Sequence, residues 1–318
     1  MRAWYLVPGA AGLAAELREV PAPEPAPGQI LVRLRAAGLN RGELTGAKGP
    51  AKPGGNEGAG EVAKLGAAVS GIRVGERVMG RCAGAFAEYA LMDAREALSV
   101  PERLSWEEAA SLPIVFCVVH DMLIGQGALK AGEWLLVLGV TSGVGVAALQ
   151  SAKALGAKVI GTSGSAEKLA KLAPLGLDVG LATRKPDFHG AVMKATADRG
   201  ANLAVNAVGG SVFAECVRAL AFEGRLAVVG YVDGVLKAEM DLEALHAKRL
   251  RLFGVSNKLR NAEQRAETVR GFARDLLPAL ADGRIKPLID RVHPFDEFPA
   301  AKARMEADQQ VGKIILRV

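Results

Sequence analysis

From Trp134 to Val229 the chain alternates short apolar runs with helix-patterned segments, and that alternation constrains its fold more than any other feature. Trp134-Leu-Leu-Val-Leu138 is apolar at every position, as a strand covered on both faces must be, and residues 143–156 follow as a helix rich in small side chains. The pattern repeats as strand 157–161, helix 165–173, strand 178–182, helix 187–198, strand 202–206, helix 211–222 and strand 225–229. A helix between two strands returns the chain to the same starting edge, so the strands run parallel and helices cover both faces. Abundant glycine, 38 residues against 5% aromatics, suits close packing of helix on sheet. The expected class is α/β, with a doubly wound parallel sheet.

The remainder reads differently. Strand patterns at 3–7, 30–35, 60–65, 76–80 and 86–92 are separated by glycine turns, and the Pro-rich stretch 21–28 is an extended linker. Ser105-Trp-Glu-Glu108 has the form of a capping box opening a helix. Beyond the alternating region come an apolar strand, Leu250–Val255, a helix over about 260–281 and a β-type tail ending at Val318.

Several classes of function are disfavoured by composition. The net charge is +6, but Lys and Arg are dispersed among 34 acidic residues, so a nucleic-acid partner is not expected. Cys82, Cys117 and Cys216 are odd in number and far apart, which outlines neither a disulfide framework nor a metal knuckle and fits a reducing, cytoplasmic setting. Pro8 and Gly9 interrupt the apolar start before it can act as a signal peptide, and no apolar run approaches the ~20 residues of a membrane span.

The strand at 134–138 runs through Gly139-Val-Thr141-Ser142-Gly143-Val144-Gly145 directly into a helix, a context that places a pyrophosphate at a helix N-terminus. Alone, the loop is also compatible with an ordinary glycine turn, since it is not a strict G-x-G-x-x-G. The next strand is more telling. Sites for NAD end that strand with an acid that holds the ribose 2′-hydroxyl. Here it ends Gly161-Thr162-Ser163-Gly164-Ser165, with Lys168 one turn on; hydroxyls and an ammonium accept a 2′-phosphate that an acid would repel. Singly, Ser165 is an N-cap and Lys168 a solvated side chain; together at this place they point to NADPH.

Taken in order, Ala37-Gly-Leu-Asn40, Gly55-Asn-Glu-Gly-Ala-Gly-Glu-Val62, Val74-Gly-Glu-Arg-Val78, Leu112-Pro113, Ser142 to Ala157 and Val311-Gly-Lys-Ile-Ile-Leu316 resemble the medium-chain dehydrogenase/reductase superfamily, in its zinc-independent quinone oxidoreductase branch. The resemblance spans essentially the whole chain. It implies a Rossmann domain inserted into a β-rich, GroES-like catalytic domain: residues 1–113, then the NADPH-binding domain at 114–256, then the catalytic domain again at 257–318. It adds Thr183, Arg184, Val208, Gly230 and Tyr231 to the cofactor site, with Thr183 where relatives have a Tyr and Arg184 as its substitute. The zinc-dependent relatives carry a Cys in the first motif and Gly-His-Glu in the second; Asn40 and Asn56 stand there instead, and no metal is expected. Val118 and His120 replace a Thr and a Tyr near the nicotinamide.

The implied reaction is hydride transfer from NADPH to a quinone or activated enone. A strong acid is not essential for a quinone, because phenol-like products have pKa values of about 10. Asn40 is the catalytic candidate, donating to the nicotinamide carboxamide or the substrate carbonyl, against an equal reading as a turn residue. Glu43, Lys48 and Asn56 are further candidates, read blandly as a partner of Asn40, a solvated lysine and a relic of the zinc position. The rival readings are an enoyl or alkenal double-bond reductase and a dinucleotide-binding protein with little catalysis. A homodimer paired through Leu250–Val255 is expected.

Overall fold

The computed structural model describes residues 1–9, 12–44 and 52–318, which divide into two compact units: Met1–Val115 with Ala262–Ala273 and Pro287–Val318, and Phe116–Asn261 with Arg274–Lys286. In the first unit, strands β1 (Arg2–Gly9) and β2 (Gly12–Glu19) form an antiparallel hairpin. Strands β3 (Gln29–Gly38), β4 (Glu57–Leu65), β5 (Arg77–Ala83) and β6 (Tyr89–Ser99) pair in succession, and β6 returns to β3, so the sheet curls closed. A bulge between Leu34 and Ala36 brings β3 against β4 so tightly that a Cβ at Gly60 would lie 2.0 Å from the Arg33 carbonyl oxygen. Helix α1 (Trp106–Ala110) begins at Ser105, whose hydroxyl accepts from the Glu108 N–H, as the capping-box pattern anticipates. The core of this unit gathers Trp4, Phe86 and Phe298, with the Phe86 and Phe298 rings 4.7 Å apart.

The second unit starts within helix α2 (Pro113–His120), which passes into a π-helical turn at Asp121–Gly125. Its strands are β7 (Trp134–Leu138), β8 (Lys158–Ser163), β9 (Val179–Ala182), β10 (Ala201–Asn206), β11 (Leu220–Val228) and β12 (Arg251–Gly254). They are ordered β12-β11-β10-β7-β8-β9, and every neighbouring pair is parallel. Chain order therefore reverses between β7 and β10, the place where doubly wound sheets bind dinucleotides. Residues 135–138 are 0 to 1% exposed, as an all-apolar strand requires. Helices α3 (Gly143–Ala154), α4 (Ala166–Ala170), α5 (His189–Ala195), α6 (Phe213–Ala219) and α7 (Leu242–Ala247) connect the strands.

The single helix expected over 260–281 is two: α8 (Ala262–Asp275) and α9 (Leu277–Ala281). Pro278 lacks an N–H and its ring opposes the preceding turn, so the helix stops and restarts with proline in the first turn of α9. The break falls where the two units part. Residues 274–286 group with the second unit, although the family resemblance implies that all of 257–318 belongs to the catalytic domain. The Gln150 side chain holds them there, donating to the Lys286 carbonyl at 2.7 Å and accepting its N–H at 2.8 Å. The first unit closes with β13 (Ile289–Pro294), α10 (Phe298–Glu306) and β14 (Lys313–Arg317), which joins the sheet beside β3. Strand β11 also begins earlier than its pattern suggests: the helix expected to reach 222 ends at Ala219, and Glu223 takes a φ of 56° at the irregularity in the strand.

Candidate functional site

Two groups of polar residues stand out, one in each unit. In the second unit, the loop after β7 turns at Gly139, where φ is +74°, and Ser142 caps α3 by accepting the Gly145 N–H at 3.0 Å. Gly145 is required by space: a Cβ there would meet the Gly139 carbonyl oxygen at 2.5 Å and the Val140 Cα at 2.6 Å, both backbone. Gly143 and Val144 occupy the first turn of a 12-residue helix, whose leading N–H groups have no partner within the helix and favour an anion. Thr141 and Ser163 hydroxyls lie 3.3 Å apart, and the Thr162 hydroxyl accepts the Gly139 N–H, so the loop and the end of β8 are tied side by side.

Beyond β8, Ser165 caps α4 by accepting the Lys168 N–H at 3.2 Å. A Cβ at Gly164 would fall on the Arg184 side chain, so the arginine from the end of β9 lies directly over the Ser163–Ser165 backbone. No acid stands at the end of β8. Thr183 is turned away to local work, donating to Asp187 at 2.6 Å and accepting the Lys185 N–H. Val208 sits in a turn built by Asn206, which accepts the Val208 and Gly209 N–H groups at 2.9 Å. Gly230 and Tyr231 line a cavity of about 450 Å³ beside β10 and β11, together with Asn206, Gly209 and Phe213. The Tyr231 hydroxyl accepts from Lys258 at 2.8 Å, and that contact pulls its pKa down. The expected cofactor residues thus gather at the C-terminal ends of β7, β8, β9, β10 and β11, where a bound dinucleotide would fit.

Asn40 belongs to the first unit and to a different cluster. Lys313, 5% exposed in β14, donates to the Glu57 Oε1 at 2.6 Å, the Leu39 carbonyl at 2.8 Å and the Asn40 Oδ1 at 2.9 Å. Glu57, wholly buried, also takes the Asn40 amide at 2.8 Å and the Ile114 N–H at 2.7 Å. The other Asn40 amide hydrogen reaches Glu43 at 3.3 Å, and the Asn40 N–H donates to Glu43 at 3.1 Å. Asn40, expected to donate to nicotinamide or substrate, has its side-chain capacity engaged inside this cluster. Burial, reinforced by the Glu57 charge and opposed by Lys313, pushes the Glu43 carboxyl up to about 7. Lys48 lies outside the described residues. Glu57 and Lys313 were not singled out from sequence, although a lysine inside the apolar run 311–316 is an unusual strand residue and could have been flagged.

His120, buried at the end of α2, holds Asp275 at 2.8 Å through Nε2. Asp275 is also gripped by Arg274, and chiefly for that reason its pKa falls to about 2. Among the described residues no three His, Cys, Asp or Glu side chains are gathered to hold a metal ion. At Asn40, where the zinc-dependent relatives have a cysteine close by, the positive charge is the Lys313 ammonium. This donor set does not fit zinc. No helix of the described residues is long and apolar enough to cross a membrane.

Residues 26–102 match the alcohol dehydrogenase GroES-like domain family, and residues 143–270 match the zinc-binding dehydrogenase family. The chain is 30% identical to quinone oxidoreductase-like protein 2 of Bos taurus, across 96% of this chain and 91% of that protein. It is 31% identical to the spectinabilin polyketide synthase system protein NorB of Streptomyces orinoci, over 98% of this chain. The chain spans only 12%, 14% and 6% of the first three polyketide synthase proteins it matches. Among solved structures, the mycobacterial protein Rv1454c in complex with NADPH superposes with a TM-score of 0.89 at 27% identity, all of both chains being covered. A parallel sheet ordered for dinucleotides, a curled sheet built from both chain ends and a relative matched over most of both lengths place this chain in the medium-chain dehydrogenase/reductase superfamily, among the quinone oxidoreductase-like proteins.

Proposed function

We propose that this protein reduces quinones or activated enones with NADPH and without zinc. The observation that carries the reading is the end of β8, where Ser163, Gly164 and Ser165 lie under Arg184 and no carboxylate is present. A 2′-phosphate placed there meets hydroxyls, a guanidinium and, one turn along α4, Lys168; an adenosine 2′-hydroxyl finds no acid to hold it. The NADPH complex of the similar mycobacterial protein supports the same cofactor. Ser142 to Gly145 would receive the pyrophosphate at the start of α3, and Thr141 and Ser163 would fix that loop against β8. When bound, NADPH supplies the hydride. The quinone oxidoreductase-like relative supports a small-molecule acceptor, and the dispersed cysteines support a cytoplasmic setting.

A second reading, reduction of an enoyl or alkenal double bond, is favoured by the match to a segment of polyketide synthases. An NADPH-consumption panel of quinones, enals and enoyl thioesters separates the two by which acceptor is turned over fastest. Turnover should persist after exhaustive chelation. Tight NADPH binding with no acceptor consumed would make the chain a dinucleotide-binding protein instead, and a required stoichiometric zinc would overturn the zinc-free reading.

A further inference from the structure

Strands β11 and β12 run parallel in a register that sets Val228 beside Gly254, so the residues that follow leave the sheet side by side at its C-terminal edge. Tyr231 comes three residues beyond that pair and Lys258 four. They meet there: the Lys258 ammonium donates to the Tyr231 hydroxyl oxygen at 2.8 Å and lies 5.5 Å from the centre of its ring. An ammonium only donates, so the phenol oxygen is the acceptor in this contact and its own hydrogen is left over. Among the described residues no acceptor takes that hydrogen. The turn that carries Tyr231 is braced. The Asp233 carboxylate accepts the Ser211 N–H and the Val235 N–H, each at 2.9 Å, and the Asp233 N–H donates to the Val208 carbonyl at 3.0 Å. Gly209 has to be glycine for this, since a Cβ there would lie 1.9 Å from an Asp233 carboxylate oxygen.

Tyr231 also lines the cavity of about 450 Å³, whose walls include Phe213, Val228, Val235, Leu236 and Lys237. Every lining residue belongs to the second unit, and so does Lys258. A dinucleotide laid across the switch point with its 2′-phosphate at the end of β8 would bring its other half to the ends of β10 and β11, where this cavity lies. The apolar walls suit a flat acceptor. We propose that Tyr231 is the acid that protonates the reduced acceptor, with Lys258 as the positioning residue that engages its oxygen and balances the tyrosinate left behind. This rests on the reductase reading above. After a hydride has been accepted, the substrate's displaced electron pair is left on an enolate or phenolate. The Tyr231 O–H bond breaks, a new C–H or O–H bond forms on the product, and the electrons of the broken bond stay on the Tyr231 oxygen beside the Lys258 ammonium. Tyr231 is 51% exposed, so water can return the proton. The Lys258 hydrogen bond and charge lower the Tyr231 pKa, which makes the phenol a better donor near neutral pH. Other charged groups at this place are Lys237 in the cavity wall and Asp233 in the same turn, whose carboxylate is engaged by Ser211 and Val235.

The test uses the whole chain as wild type, Tyr231→Phe and Lys258→Met. With three tyrosines in the sequence, the ultraviolet absorbance of tyrosinate can follow them individually as pH rises. One should ionise below the ordinary value of about 10, disappear in Tyr231→Phe and move upward in Lys258→Met. With an enone acceptor, wild-type turnover should fall as pH rises through that same ionisation. Lys258→Met should move the limb upward. Tyr231→Phe should remove it and lose about a hundredfold or more in kcat, while the acceptor KM and NADPH affinity by fluorescence titration hold. With a quinone the loss should be smaller, because water can protonate a phenolate. A Tyr231→Phe enzyme with unchanged enone rate and pH profile, a loss confined to KM, or a limb that stays in place in Lys258→Met overturns the proposal. Failure of the reductase reading looks different: the wild type itself consumes no NADPH with any acceptor, although the tyrosinate titration still responds to Lys258, and the role of Tyr231 in reduction falls with it.

Discussion

Replacing Lys313 by Met keeps most of the buried stem and removes only the ammonium, so it isolates the charge that holds the first unit's polar cluster together. Glu57 is 0% exposed and Lys313 5% exposed, so solvent cannot take over as partner when the ammonium is lost. The Leu39 carbonyl and Asn40 Oδ1 lose their donor in the same step. Breaking a buried pair from one side typically costs about 3 to 5 kcal/mol, because the remaining charge stays desolvated. Against a total stability of about 5 to 15 kcal/mol, that is enough to bring the unit close to unfolding at room temperature. Urea denaturation at pH 7, followed by circular dichroism, measures the loss as a lower midpoint. The double variant Lys313→Met with Glu57→Gln removes the stranded charge, so it should be more stable than the sum of the two single changes by about 1 to 3 kcal/mol. If Lys313→Met costs less than about 1 kcal/mol, or if the two changes simply add, the closed ion pair is not what organises this cluster.

Arg184→Ala should weaken NADPH by about ten- to a hundredfold, one charge-assisted contact of about 1.5 to 3 kcal/mol, and leave NADH within about twofold. Calorimetric titration of both cofactors decides, and equal losses would remove Arg184 from the 2′-phosphate site. Asp275, whose pKa is lowered to about 2 by Arg274 first and His120 second, contributes stability that is present above its unfolded value and lost as pH falls through 2. Asp275→Asn should therefore be less stable at neutral pH, by about 1 to 2 kcal/mol after allowing for partial exposure, and show a flatter stability profile between about pH 4 and pH 2. Strand β12 is the end of its sheet, with Leu252 38% exposed, and is proposed to pair with a second copy of the chain. Light scattering at micromolar concentration should give the mass of two chains, and Leu252→Pro should abolish it by removing a ladder donor; a wild-type mass of one chain would refute the seam.

What could be seen in the sequence was local in origin. The run from Trp134 to Gly145 declares itself because an all-apolar strand, a glycine turn and a small-residue helix follow one another within a dozen residues, and each depends on its immediate neighbours. The same holds for Ser105 and Ser165, whose capping partners are three residues away. Strand β2 was not anticipated: Gly12-Leu-Ala-Ala-Glu-Leu-Arg-Glu19 has no clear alternation, and its strand state comes from pairing with β1 along its whole length. The break between α8 and α9 was signalled by Pro278, but the apolar spacing on either side of it masked the signal.

The polar cluster could only be decided in three dimensions. Glu57 and Lys313 are 256 residues apart, and each reads alone as a charged residue inside a familiar motif. Only when β14 returns to lie beside β3 does the ammonium arrive among Leu39, Asn40 and Glu57, and the Asn40 amide then bridges the Glu43 and Glu57 carboxyls. Local sequence determines which dihedrals and which faces a segment prefers, because those energies involve neighbours along the chain. The balance that pushes the Glu43 carboxyl up to about 7 depends on burial and on the Glu57 and Lys313 charges of remote segments, and those come together only when the sheet is assembled.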